Sequence, residues 1–247
     1  MNFLFNGYNR AKSYWKSLLV PMKAANMQSF DPLLCKFLQS KAEVDKCTKF
    51  LQSYGFVSHG ITAKNWDLAH IIPEIDEGNF LDMGSSDSYI LKNLALKKIK
   101  GELYGIDLRE PDVPVKKVKY IVGDLMNTKL PDKYFQNITC LSVIEHEVNF
   151  SKFASEVARL LDYQGRIFIT FDYWEPKVTS KVNLYGLKWQ PLDREAVENL
   201  ISECERNGLY LLQDIDWKLN EAVLHQGYYS PDPAVSYTFG MVVFKKQ

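Results

Sequence analysis

Asn79-Phe80-Leu81-Asp82-Met83-Gly84-Ser85-Ser86-Asp87-Ser88 reads as a buried strand running straight into a turn of small residues. The amphipathic run Tyr89-Ile90-Leu91-Lys92-Asn93-Leu94-Ala95-Leu96 follows at once. The turn therefore sits at a helix N-terminus, where free backbone N–H groups hold polar or anionic atoms. It is a candidate ligand cradle.

Beyond it, strands and helices alternate. Leu103 to Asp107, Lys119 to Asp124 and Asn137 to Ile144 read as a second, third and fourth strand, each closing near a polar residue. Phe153, Val157, Leu160 and Leu161 mark a helix ended by Gln164-Gly165, and Arg166 to Phe171 is a fifth strand. A helix from Asp193 stops at Asn207-Gly208. Two last strands, Leu209 to Ile215 and Tyr237 to Phe244, have no helical pattern between them, so they are expected to pair antiparallel. The pattern predicts an α/β fold, a doubly wound, mostly parallel seven-stranded sheet with a C-terminal antiparallel hairpin.

Upstream, the reading is helical. Tyr14, Trp15, Leu18, Leu19 and Met22 recur at helical spacing, as do Leu33, Leu34, Phe37 and Leu38, and then Val44, Cys47, Phe50 and Leu51. Residues 1–72 are expected to form a helical N-terminal cap and residues 73–247 the main domain.

Composition narrows the function classes. Lys plus Arg and Asp plus Glu both number 30, so no net charge draws the chain toward nucleic acid or an acidic membrane. Cys35, Cys47, Cys140 and Cys204 form no CxxC pair, which signals neither a zinc module nor a disulfide framework. The apolar patch Ser17 to Val20 is too short for a signal or a membrane span. The expectation is a soluble, cytoplasmic protein with no nucleic-acid partner and no metal.

In a doubly wound sheet the ligand lies across the carboxyl ends of the strands. Asp82, Asp107 and Asp124 fall at three successive strand ends. Such carboxylates suit a nucleoside, because a carboxylate accepts two hydrogen bonds from a ribose diol and another accepts from an exocyclic amine. At these residues the sequence resembles the class I S-adenosylmethionine-dependent methyltransferases, from Phe80 to about Phe244. Leu81-Asp82-Met83-Gly84-Ser85-Ser86 is similar to that family's first motif, Gly105-Ile106-Asp107 to its second, Val122-Gly123-Asp124-Leu125 to its third, and Leu141 to His146 to its fourth.

The resemblance implies a Rossmann-like fold and S-adenosylmethionine as cofactor, held by Asp82, Met83, Gly84, Ser85, Ser86, Asp107, Leu108, Asp124, Leu125 and Ser142. It implies in-line methyl transfer to a small-molecule acceptor. The family usually repeats glycine at every second place of the first motif; here Gly84 is followed by Ser86 and Ser88.

His146 is the candidate general base, since an unperturbed imidazole titrates near neutrality, and Glu145 is its candidate neighbour in catalysis. Tyr173 and Trp174, at the end of the fifth strand, are candidate walls of the acceptor pocket. Two other readings stand beside this one. A non-catalytic module would keep the fold and dock a partner with the N-terminal helices. An NAD(P)-dependent oxidoreductase would need G-x-G-x-x-G, which is absent: Ser86 and Tyr89 stand at its later glycine places.

Overall fold

The computed structural model describes residues 29–247, so the run expected around Tyr14 to Met22 lies outside the described residues. The strands are β1 (Lys36–Phe37), β2 (Phe80–Met83), β3 (Leu103–Asp107), β4 (Val118–Val122), β5 (Phe135–Leu141), β6 (Leu161–Tyr173), β7 (Asn183–Leu184), β8 (Leu187–Lys188), β9 (Leu209–Leu211) and β10 (Thr238–Lys246). The helices are α1 (Lys41–Ser53), α2 (Asn65–Ile71), α3 (Tyr89–Lys97), α4 (Phe150–Leu160) and α5 (Arg194–Arg206).

Eight strands make one sheet in the order β1-β10-β6-β5-β2-β3-β4, with β9 also pairing β10. The five strands from β6 to β4 run parallel, and β10 is antiparallel to both β6 and β9. This is the doubly wound sheet with a terminal hairpin that the strand pattern predicts. Strand order reverses between β2 and β5, which places the switch point beside the Gly84 turn.

Side-chain alternation divides the core into two layers. Phe80, Phe168, Phe239 and Met241 face α1, α2 and α3, while Leu81, Met83, Ile138, Ile169, Phe171 and Val242 face α4 and α5. The helices start where their caps allow. Ser40, Ser88, Asn149 and Asp193 each accept a backbone N–H of the first turn of α1, α3, α4 and α5. Glu43 completes a reciprocal cap on α1 by accepting from the Gln39 N–H at 3.0 Å.

One element differs from the helical reading. The stretch holding Leu33, Leu34, Phe37 and Leu38 is not helical; Lys36–Phe37 is β1, paired antiparallel with Met241 and Gly240. Four apolar residues within six positions fit a helix stripe and a strand buried on both faces equally well, and Leu34 through Leu38 are all buried. The open edge of β10 decides between them, because its backbone groups need partners. The result is one strand more than the seven the sequence suggests.

Asn93, fully buried in α3, ties this layer to the connector after α1. Its Oδ1 accepts from the Val57 N–H at 2.7 Å, and its Nδ2 donates to the Val57 carbonyl at 3.0 Å and to that of Tyr89 at 2.9 Å. Asn93→Ala leaves both Val57 groups unpaired and is expected to cost about 3 kcal/mol. A lowered urea midpoint at unchanged slope would show it.

Candidate active site

The Gly84 turn is built for close approach. Gly84 has φ +84°, and a Cβ there would stand 2.3 Å from Val143 Cγ2. Its N–H and that of Ser85 both donate to the Ile106 carbonyl, at 2.8 and 3.1 Å, which pins the turn to the end of β3. Ser86 and Ser88 are absent from the positive-φ residues, so serine in those places carries no backbone strain. Ser88 instead caps α3 at φ −77°.

The three acids sit in three different environments. Asp82 is buried and accepts from the Thr139 hydroxyl at 2.6 Å, and burial pushes its carboxyl up to about 7 against the hydrogen bonds of Ser88 and Thr139. Asp107 accepts from the Ser86 N–H at 2.9 Å and the Arg109 N–H at 3.3 Å, binding the turn to the end of β3. Asp124 is exposed and folds its own turn by accepting from the Met126 N–H at 2.8 Å. Leu108, next to Asp107, is 60% exposed, whereas Leu125 packs against the α4 and α5 layer.

Strand alternation separates neighbours elsewhere. Asp82 turns toward the cleft and Met83 into the opposite layer, so Met83 offers the cleft only backbone. At the end of β6, Asp172 takes the site face and Tyr173 packs 4.2 Å from Phe37 on the other side, 1% exposed. The structure therefore does not bring Tyr173 to the cleft. Trp174 lies, half-buried, against the α1 to α3 layer, on the same side as Asp172.

A small cleft of about 80 Å³ opens beside the turn, lined among others by His59, Lys64, Asp67, Asp82, Gly84, Ser88 and Leu141. Its back wall is a charged cluster. Lys64 donates through Nζ to the Ser142 hydroxyl, lies 3.4 Å from Asp67 Oδ2, and stands 4.1 Å over the Phe239 ring. Ser142 carries φ +52°, just past the end of β5.

Glu145 and Asp172 are buried neighbours, and two carboxylates in one dry place resist joint ionisation. Burial holds Glu145 well above the usual carboxylate range, with the Asp172 charge adding to it. Burial likewise lifts Asp172 to about 6, opposed by Lys64 and by the Trp189 indole N–H, which donates to Asp172 Oδ2 at 2.7 Å.

His146 is half-buried, and among the described residues its Nδ1 has no partner. Burial first, and the Lys64 charge second, lower it to about 4, so its imidazole is neutral at pH 7. The exposed Tyr185, at the tip of the β7–β8 hairpin, stands 6.1 Å from the His146 ring and under the Arg109 guanidinium at 5.0 Å. That tip spans the ends of β3 and β5.

Lys64 and Asp67 escape a motif search because they lie in the N-terminal third, on a different segment from every strand end. The available signal is local. All seven residues of α2, Asn65 to Ile71, are buried, and a buried run that includes Asp67 and His70 carries polar groups that need an internal purpose.

Residues 81–169 match a family model described as a methyltransferase domain. Among solved structures, phosphoethanolamine N-methyltransferase 2 of Haemonchus contortus, in complex with S-adenosyl-L-methionine, superposes with a TM-score of 0.53 at 14% identity, over 82% of this chain and 57% of that one. The YcgJ protein of Bacillus subtilis gives 0.52 at 18% identity, over 69% of this chain and 92% of its own. The 1,6-didemethyltoxoflavin-N1-methyltransferase of Burkholderia thailandensis gives 0.51 at 10% identity, over 84% and 79%. At these identities the likeness establishes the fold. No curated protein sequence matches the chain. Residues 81–169 thus resemble a methyltransferase domain, and the fold around them is the Rossmann-like fold of the methyltransferase structures above.

Proposed function

We propose that the chain binds S-adenosylmethionine across the carboxyl edge of β2, β3 and β4 and directs its methyl group to a small-molecule acceptor. The observation that carries this reading is the Gly84 turn locked to Asp107. A glycine with no room for a side chain lets a ligand approach the backbone, and the Asp107 carboxylate, using two of its acceptor sites within the protein, keeps others for a ribose diol.

The residues present fit the rest of such a molecule. Gly84, Ser85 and Ser86 provide the cradle and Lys64 faces the cleft with a cation for a carboxylate. Asp82 lines the same cleft, and Ser142, just past the end of β5, holds the Lys64 ammonium. Leu108, exposed beside Asp107, and the Asp124-Leu125 turn offer an apolar surface and polar edge for a purine.

The cofactor, when bound, supplies an already activated methyl on a sulfonium, so the protein is left with alignment and with any proton the acceptor must lose. His146 and the Glu145–Asp172 pair both lie at the strand ends for that task. His146, held near 4, is the weaker proton acceptor of the two, and the carboxyl pair the stronger.

Titration calorimetry with S-adenosylhomocysteine tests the reading, and no binding by well-folded protein would favour the non-catalytic scaffold instead. Asp107→Asn keeps an acceptor for the Ser86 N–H while weakening the diol contact. It is expected to reduce affinity for S-adenosylhomocysteine about tenfold or more at nearly unchanged melting temperature. Unchanged affinity would remove the ribose assignment.

A further inference from the structure

The cluster behind the cleft contains more buried carboxyl oxygens than the described residues supply donors. Glu145 is 3% exposed, and neither of its carboxyl oxygens has a donor among the described residues. Asp172 Oδ1 and Asp67 Oδ1 are also buried without one. Unpaired buried acceptors are costly, so four in one place demand a ligand rich in donors.

The protein itself shows which kind. Among the described residues, the cation placed among these carboxyls is the Lys64 ammonium, paired with Asp67 at 3.4 Å and set over the Phe239 ring at 4.1 Å, the arrangement of carboxylate and aromatic face that selects an alkylammonium. Phe239 is backed by Tyr237 at 6.2 Å and Tyr237 by Trp189 at 5.3 Å, which makes that wall continuous and aromatic. Among the described residues no group of three or more His, Cys, Asp or Glu is disposed to hold a metal ion.

We propose that Asp67, Glu145 and Asp172, under the Phe239 ring, form the binding site for a primary or secondary amine of the methyl acceptor, a place that the Lys64 ammonium fills from within the chain. Lys64 and Asp67 line the cleft, so the site is entered where the Lys64 side chain swings aside. The carboxylate end of the cofactor, in the reading above on which the acceptor role rests, gives that ammonium another partner. An incoming alkylammonium then meets the unpaired oxygens of Glu145, Asp172 and Asp67.

Proton balance is local. One N–H bond of the ligand breaks and one O–H bond forms on the ionised member of the Glu145–Asp172 pair, which leaves the nitrogen neutral with its lone pair free. Asp172, lifted to about 6, is suited to that exchange near neutral pH.

The test is a titration of the full chain with n-propylamine and, separately, the near-isosteric n-propanol, at pH 7.5 and constant ionic strength, followed by saturation-transfer NMR. It is run with and without S-adenosylhomocysteine, whose own binding is measured first. Propylamine is expected to bind saturably, more tightly with S-adenosylhomocysteine present, and propanol at least tenfold more weakly. Asp172→Asn and Glu145→Gln are each expected to weaken propylamine tenfold or more, the second serving if the first does not fold. Lys64→Ala, which vacates the site, is expected to tighten it about tenfold.

Equal binding of the alcohol, unaltered binding in both carboxyl variants, or no gain in Lys64→Ala would overturn the proposal. So would competition between propylamine and S-adenosylhomocysteine, which would assign the cluster to the cofactor's own amino group. If S-adenosylhomocysteine fails to bind while propylamine behaves as described, the cofactor reading falls and the amine site stands.

Discussion

Gly84→Ala is expected to destabilise the domain by about 4 kcal/mol and to abolish measurable binding of S-adenosylhomocysteine. Two costs add. An L-residue held at positive φ loses roughly 1–2 kcal/mol, and forcing a methyl into packed space costs about 1–3 more. Here the added Cβ meets Val143 Cγ2 at 2.3 Å and two further Val143 carbons at 3.3 Å. Val143 is anchored by its own chain: its carbonyl accepts from the His146 N–H at 3.0 Å, so it does not yield without disturbing the turn that presents Glu145.

Chemical denaturation gives the first number and calorimetry the second. The double change Gly84→Ala with Val143→Ala separates them, because it removes the clash and leaves the positive φ. Partial recovery of stability, to a deficit of about 2 kcal/mol, is the expected result. Full recovery would show that the backbone angle is not a constraint.

Asp82→Asn is expected to stabilise the domain at alkaline pH and to leave it nearly unchanged in acid. Burial raises the Asp82 carboxyl from 3.8 to about 7. A group whose folded value is raised contributes stability that is full below the unfolded value and lost as pH climbs through the folded one. Below pH 4 the acid is neutral in both states and costs nothing extra. At pH 8 it is ionised in both, and the buried charge costs roughly 4 kcal/mol at about 1.4 kcal/mol per decade.

Asparagine carries no such charge and keeps an oxygen for the Thr139 hydroxyl. The difference in stability between variant and parent, measured from pH 4 to 8, should therefore rise through this window toward several kcal/mol. Subtracting the parent cancels the opposite trend of His59 and His146, both lowered to about 4, which lose stability as pH falls. A flat difference would mean that Asp82 is solvated. The gain is expected to come at the expense of the cleft, which Asp82 lines.

Much of this architecture was legible because its signals are local. A strand that ends in Asp82-Met83-Gly84 and passes into Tyr89-Ile90-Leu91 announces its own turn. Three strand ends carrying Asp82, Asp107 and Asp124 point to one crevice once the sheet is known to be parallel. The closing antiparallel pair followed from the missing helix between Leu211 and Tyr237.

What escaped reading is what depends on partners distant in sequence. The Lys36–Phe37 strand exists because β10 has an edge to fill. Tyr173 and Asp172 are adjacent letters with opposite fates, decided by which face of β6 meets α5. The near-neutral value expected for His146 is overturned by enclosure and by the Lys64 charge, from a segment with no motif. Ser86 and Ser88 look like erosion in one dimension, and at their actual backbone angles they cost nothing.

The position of β10 sets the order in which the molecule can be assembled. Of the described strands it is made after all the others, yet it is flanked on one side by β6 and on the other by β1 and β9. Its Thr238 hydroxyl donates to the Leu38 carbonyl, 200 residues earlier, at 2.7 Å. The Lys36–Leu38 segment therefore waits through the synthesis of 200 further residues for its partner. The ring of Phe239, over which Lys64 stands, arrives with that same strand. A nascent chain that has already folded its Gly84 turn still lacks the aromatic wall behind it, so no chain stopped short of Thr238 possesses the complete cleft.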